Sequence, residues 1–257
     1  MRRTDTGCGR NIWTLAVVAT VLAGAAAGGC GLSKEEAARK KAAQAAFIRA
    51  MDAAEQLQQQ ERATGQPAPD RFATAIDAAE EAVQLDPDVA PYWRLLGTLY
   101  ATMGRDTLAG SLAEDAFAAA VSLEPKDVGA RLDLAGILMG RRAWSRALDQ
   151  LEEAARIDRK VLTRPLVADM CNAYVADGLA ERGEDFFRGF ATKGEGPATS
   201  APRLCLAVLL HEQGAKAPKK AAEAQEVLNV LAADAKAHPD DAAYAKALAQ
   251  DWQGGGR

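Results

Sequence analysis

Trp93-Arg94-Leu95-Leu96-Gly97-Thr98-Leu99-Tyr100 is the stretch that decides the fold, together with Ala113, Phe117, Ala120 and Pro125 further along the chain. Trp93, Leu96 and Tyr100 recur at three- and four-residue steps around one glycine, and Ala113, Phe117 and Ala120 do the same on a second segment. Those steps are the face of an α-helix. Two antiparallel helices approach closely only where a small residue meets a large one. Gly97 and Ala113 are therefore expected to receive neighbours, while Trp93, Tyr100 and Phe117 fill the space between the helices. Pro125 has no N–H to continue a helical ladder, so it ends the second helix.

The pattern recurs on both sides. Ala113, Phe117, Ala120 and Leu123 reappear 34 residues later as Ala147, Leu151, Ala154 and Ile157, and 38 residues earlier as Ala75, Ala79, Ala82 and Leu85. An interval of that length is one helical hairpin, and its recurrence signals a stacking array. Trp93, Leu96, Gly97 and Tyr100 fit W-x2-L-G-x2-Y, with Ala113, Phe117 and Pro125 as the following A-x3-F and proline. On these residues the stretch from about Asp70 to Arg159 resembles the tetratricopeptide repeat family. The resemblance implies an all-α fold, an α-solenoid of antiparallel helix pairs wound into a tetratricopeptide-like superhelix.

Outward from this centre the letters thin. Leu134, Ala135 and Leu138 stand 38 residues after Leu96, Gly97 and Tyr100, with Arg131 and Arg159 in the places of the tryptophan and proline. A further unit, offset by 36, has Val167, Met170, Cys171, Tyr174 and Gly178 in its first helix and Gly183, Phe187 and Phe190 in its second. Asp86-Pro87-Asp88 and Glu124-Pro125-Lys126-Asp127 read as helix stops carrying an acidic residue able to cap the next helix. Arg141-Arg142 reads as a turn, and Glu181-Arg182-Gly183-Glu184-Asp185 as the corresponding solvated turn one repeat later.

The expected plan is a helical-repeat domain over 34–253, clearest at 70–159, degenerate at 160–240 and closed by a capping helix at 242–252. Thr192–Pro202 reads as a loop, His238-Pro239 as a last repeat boundary and 254–257 as a disordered tail. Ser33 with Glu36 forms a capping box that opens a long Ala-rich helix to about Arg62. That helix is read as an elongated first repeat, with a coiled-coil stalk as the alternative.

The first thirty residues are of another kind. Arg2, Arg3 and Arg10 precede sixteen uncharged residues, Ile12 to Ala27, which lead into Gly28-Gly29-Cys30. This resembles a bacterial lipoprotein signal, with 1–29 removed and 30–33 left as a lipid-anchored terminus. The resemblance implies acylation of Cys30 and attachment to a membrane through lipid. Gly31 is not the aspartate that often signals inner-membrane retention, so for a Gram-negative host the expectation is the outer membrane, facing the periplasm. An ordinary cleaved signal peptide and a retained anchor are the other readings, and sixteen residues are short for a span.

The chain has 257 residues, 49% of them hydrophobic, enough for a core. Its formal charge of −4 would become −6 without Arg2, Arg3, Arg10 and Asp5, and gives no reason to expect nucleic acid. Beyond Cys8 and Cys30, Cys171 and Cys205 are left, 34 residues apart, either as two buried thiols or as a disulfide. His211 and His238 are the only histidines, in no metal-ligand spacing, and no nucleophile elbow, P-loop or dinucleotide fingerprint is present. No cofactor, metal or catalysis is therefore expected.

In the resembled family the first helices line a concave groove for protein partners. Here the matching positions include Arg94, Thr98, Leu132, Gly136, Ala168 and Asn172, with Asp133 and Asp169 beside them. Only Arg94 and Asn172 could serve the carboxylate clamp that some members carry. A neutral, partly apolar groove for an extended segment or a helix is the expectation, although each residue could equally do no more than complete the packing. The resemblance implies a non-enzymatic scaffold of the cell envelope that helps assemble pilus, secretion, outer-membrane or cell-wall machinery. The alternative is an accessory subunit of an envelope enzyme such as a peptidoglycan synthase or hydrolase.

Overall fold

The structure is a computed structural model in which residues 33–65, 69–103, 108–191, 200–233 and 239–254 are described. Eleven α-helices occupy them: α1 (Lys34–Thr64), α2 (Pro69–Leu85), α3 (Ala90–Met103), α4 (Leu108–Leu123), α5 (Val128–Gly140), α6 (Trp144–Ile157), α7 (Arg164–Ala176), α8 (Ala180–Ala191), α9 (Ser200–Gly214), α10 (Pro218–Ala233) and α11 (Pro239–Gly254). A 3-10 turn, Arg159–Val161, joins α6 to α7, and no strand occurs among the described residues. Connections of a few residues can only fold consecutive helices back on one another, and α1–α2, α5–α6, α8–α9 and α9–α10 pack side by side.

Two compact units make up the chain, Met1–Met103 with Asp115–Pro125 and Gly104–Glu114 with Lys126–Arg257. In the first, Ser33 caps α1 by accepting from the Glu36 N–H at 3.1 Å. Ala43, Ala46, Phe47 and Ala50 of α1 are buried against Ala75, Ala79 and Ala82 of α2, so the long helix lies along α2 as an elongated first repeat. Alanine on both faces is what lets the two backbones come close.

Gly97 of α3 is the socket for α4. A Cβ built there would lie 2.8 Å from Phe117 Cδ1, so only glycine leaves room for the ring. Trp93 does not fill the interior as its place in the pattern suggests. It is half-buried, and its Nε1 donates to the Pro87 carbonyl at 2.7 Å, clasping the turn before α3. Tyr92 is the buried aromatic instead, its ring centroid 4.8 Å from that of Phe47. Tyr100 donates its hydroxyl to Glu80 of α2, and burial, followed by that bond, pushes the phenol up.

In the second unit Asp127 caps α5, accepting from the Gly129 and Ala130 N–H groups at 2.8 and 3.2 Å. The α5–α6 and α7–α8 turns are the same device. Ala143 N donates to Leu138 O at 2.9 Å and Leu179 N to Tyr174 O at 2.8 Å, around left-handed Arg142 (φ 59°) and Gly178 (φ 68°). This is the left-handed helix cap, which glycine enters freely and arginine enters with strain. Ala135, Leu148 and Leu151 join Met170, Tyr174, Phe187 and Leu209 in the core of this unit, and Leu204, Leu228, Leu231 and Ala245 form a smaller cluster under α11.

Several expectations are corrected. Glu181–Asp185 is not a solvated turn: it forms the first turns of α8, with Gly183 and Glu184 buried. Ser200, Ala201 and Pro202, read as loop, are the buried first turn of α9, while 192–199 lie outside the described residues. The last helix starts at Pro239, before position 242, and ends at Gly254, which was expected to belong to the tail; His238 and 255–257 lie outside the described residues.

Candidate protein-binding surface

α7 starts after Thr163 with Pro165 in its first turn, where a missing N–H costs nothing. Val167, Met170, Cys171 and Tyr174 form its inner face and are buried. The opposite face, Pro165, Ala168, Asp169, Asn172, Val175 and Ala176, is exposed. Its members are small or neutral apart from Asp169, so little side chain stands between the helix backbone and an incoming segment. On α5, Leu132, Asp133 and Gly136 are half-buried, and a Cβ at Gly136 would meet nothing within 4 Å.

Behind the α7 face lies a buried carboxylate. Glu152 of α6 accepts from Tyr174 Oη at 2.7 Å, Arg182 Nε at 2.7 Å and Arg156 at 2.9 Å, and Arg182 also reaches Asp149 at 2.6 Å. Burial first, and then the bond to Glu152, pushes the Tyr174 phenol well up, so it stays a donor. A second network centres on Glu184 of α8, which accepts from Arg188, Lys220 and Gln213, each at 2.8 Å. Burial alone would raise the Glu184 carboxyl, but the bonds from Lys220, Arg188 and Gln213 outweigh it and hold the group below its ordinary value. The first network ties α6, α7 and α8 together, and the second ties α8 to α9 and α10.

A shallow cavity of about 230 Å³ lies on the same unit, lined by Ala155, Arg156, Arg159, Gly189 and Phe190. Arg159 sits 4.7 Å over the Phe190 ring and Arg156 5.9 Å over Phe186, and Arg156 also pairs with Glu152 and Glu153. These contacts read as packing of α6 and the 3-10 turn after it against α8.

The helix pairs form a tetratricopeptide-like fold. Among solved structures the chain is similar to one chain of Naa15/Naa10 bound to HypK-THB, at 18% identity over 84% of this chain and 34% of that one, with a TM-score of 0.51. It is also similar to the MamA protein (16% identity, 76% of this chain and 96% of that one, TM-score 0.46). YrrB, described as a TPR protein with an unusual peptide-binding site, shares 17% identity over 69% of this chain and 84% of its own, with a TM-score of 0.46. At these identities the likeness concerns the fold alone. No protein-family model matches the chain, and no curated protein matches its sequence.

The four residues expected to line a groove fall two in each unit. Arg94 is half-buried and Thr98 exposed in the first unit, where the Thr98 hydroxyl donates back to the Arg94 carbonyl at 2.9 Å. Asp133 is half-buried and Asn172 exposed in the second. Of the packing residues, Leu96, Gly97, Ala113, Phe117, Ala120, Leu134, Ala147, Leu151 and Ala154 are buried; Trp93 and Tyr100 are half-buried and Pro125 is exposed. Cys30 lies outside the described residues. Cys171 and Cys205 are free and buried. Among the described residues no group of three or more His, Cys, Asp and Glu is placed to hold a metal ion.

The Glu152 and Glu184 networks were missed from sequence, though a signal existed. Leu148, Leu151, Glu152 and Ala155 share one helical face, which turns Glu152 inward, and Gly183, Glu184 and Phe187 do the same for Glu184.

Proposed function

We propose that this protein is a non-catalytic scaffold that binds a protein partner across exposed first-helix faces and is held at a membrane of the cell envelope by lipid on Cys30. The observation that carries the binding half is the exposed α7 face: a stripe of small residues around Asn172, backed by a helix whose other side is locked into the core. A shallow surface of that kind suits an extended segment or a helix, because backbone can approach backbone.

The anchoring half rests on the order Arg2-Arg3, Arg10, Ile12–Ala27, Gly28-Gly29-Cys30. α1 begins only four residues after Cys30, at Lys34, so an acyl chain there would hold the repeats close to the bilayer. Among the described residues no helix is long and apolar enough to cross a membrane. Each buried methylene contributes ~0.8 kcal/mol, so two or three acyl chains hold the protein stably. In a Gram-negative host Gly31 favours the outer membrane, with the helices in the periplasm.

Metabolic labelling with a fatty-acid analogue tests the anchor. The wild-type chain should carry label and fractionate with membranes as a shortened form. Cys30→Ser should be unlabelled and retain residues 1–29. A mature, membrane-bound Cys30→Ser protein would contradict the reading.

A further inference from the structure

Cys171 and Cys205 lie in the core on two neighbouring helices, both buried and both free. Cys171 lies on α7 and Cys205 on α9, helices that pack directly against each other, and both belong to the core with Met170, Tyr174, Leu206 and Leu209. The Cys171 thiol points at Cys205 itself, its Sγ 4.0 Å from the Cys205 carbonyl oxygen. A carbonyl oxygen is only ~2.4 Å from its own Cα, so the sulfur of one cysteine already lies beside the backbone of the other. Burial, then the hydrogen bond shared with Cys171, pushes the Cys205 thiol up. Two buried thiols this close at a helix interface are either small hydrophobes or the reduced form of a bond.

The geometry points to the second: Cys171 and Cys205 form an intramolecular disulfide that staples α7 to α9 under oxidising conditions. Its occurrence in cells, but not the pairing itself, rests on the envelope reading. With glutathione disulfide as oxidant, the thiolate of one cysteine attacks a glutathione sulfur and expels one glutathione thiolate. The second cysteine, losing its proton, then attacks the protein sulfur of this mixed disulfide and expels the other glutathione. Two protein thiols are oxidised, two glutathione thiols are produced, and no other reagent is consumed.

Burial decides when the reaction happens. Exchange needs a thiolate with access, and burial of both cysteines denies that access, so the bond forms while the chain folds and resists reduction afterwards. It would close a loop that contains all of α8, fixing the spacing between α7, which carries the exposed face, and its neighbour α9.

Oxidative refolding of the chain with Cys8 and Cys30 replaced by serine is the test. Protein unfolded in denaturant and refolded with glutathione disulfide, then blocked and digested, should yield one linked peptide pair containing Cys171 and Cys205. The refolded protein should melt ~5–10 °C above its reduced form. Cys205→Ala should instead leave Cys171 as a mixed disulfide or a free thiol, with no such rise. Complete alkylation of Cys171 and Cys205 after oxidative refolding, in protein of native helicity, would overturn the proposal. If the pair forms on refolding but is fully reduced in protein blocked at the moment of cell lysis, the envelope placement fails and the pairing stands.

Discussion

Gly97 and Gly136 occupy first helices one repeat apart and should answer the same substitution in opposite ways. Alanine is a better helix former than glycine by about 1 kcal/mol, and that gain applies at both positions. At Gly136 nothing lies within 4 Å of the new Cβ, so Gly136→Ala should raise stability by about 0.5–1 kcal/mol. At Gly97 three carbons of the Phe117 ring lie at 2.8 to 3.0 Å. A packed ring cannot swing aside as a flexible chain end can, so Gly97→Ala should cost about 1–3 kcal/mol in urea unfolding. Equal effects at the two sites would mean that the ring does not sit in the glycine socket. Gly97 and Phe117 could be read from sequence because their sizes are complementary and their spacing is that of a helix. Trp93 and Tyr92 could not, since the choice between them turns on whether an indole N–H finds a carbonyl, here Pro87, and spacing does not encode that.

Helices in this chain are joined by repeated turns and braced by buried charge, and each feature makes a prediction. Arg142 holds a left-handed conformation that Gly178 occupies in the matching turn. Arg142→Gly should therefore stabilise the protein by about 0.5–1 kcal/mol, and Gly178→Ala should destabilise it by a similar amount, both read from thermal midpoints. The bracing of α8 depends on pH. Because the Glu184 carboxyl is held below its ordinary value of 4.5, its ionised form stabilises the fold above that pH. That contribution is lost as pH falls through the lowered value of the folded state. Glu184→Gln should be less stable than wild type at pH 7, with the gap shrinking steadily below pH 4.5; a gap of constant size would show that the charge of Glu184 contributes nothing. This network was hidden from sequence because Glu181–Asp185 is rich in charge and contains a glycine, the usual marks of a turn. Gly183 is instead a close-approach residue, its Cβ position only 2.7 Å from the Tyr174 ring and from Leu209. The glycine marks crowding, and the glutamate beside it faces inward with it.

For the molecule as a whole, the repeat interval made the all-α helix-pair architecture readable, because small-to-large packing recurs at fixed steps wherever hairpins stack. Binding is less legible. A groove residue is defined by what it leaves uncovered, so Asn172 and Ala168 differ from ordinary surface residues only once the buried side of α7 is known. The proposed anchor and the proposed binding face together describe a tethered adaptor, and the direct test is to isolate it with its partner. The protein as its own cells make it, extracted in mild detergent, should elute with one other protein at a constant ratio. An Ala168→Arg/Asn172→Arg variant of unchanged helicity and melting temperature should elute alone. Retention of the same partner at the same ratio by the variant, or elution of the wild-type chain without any partner, would contradict the account.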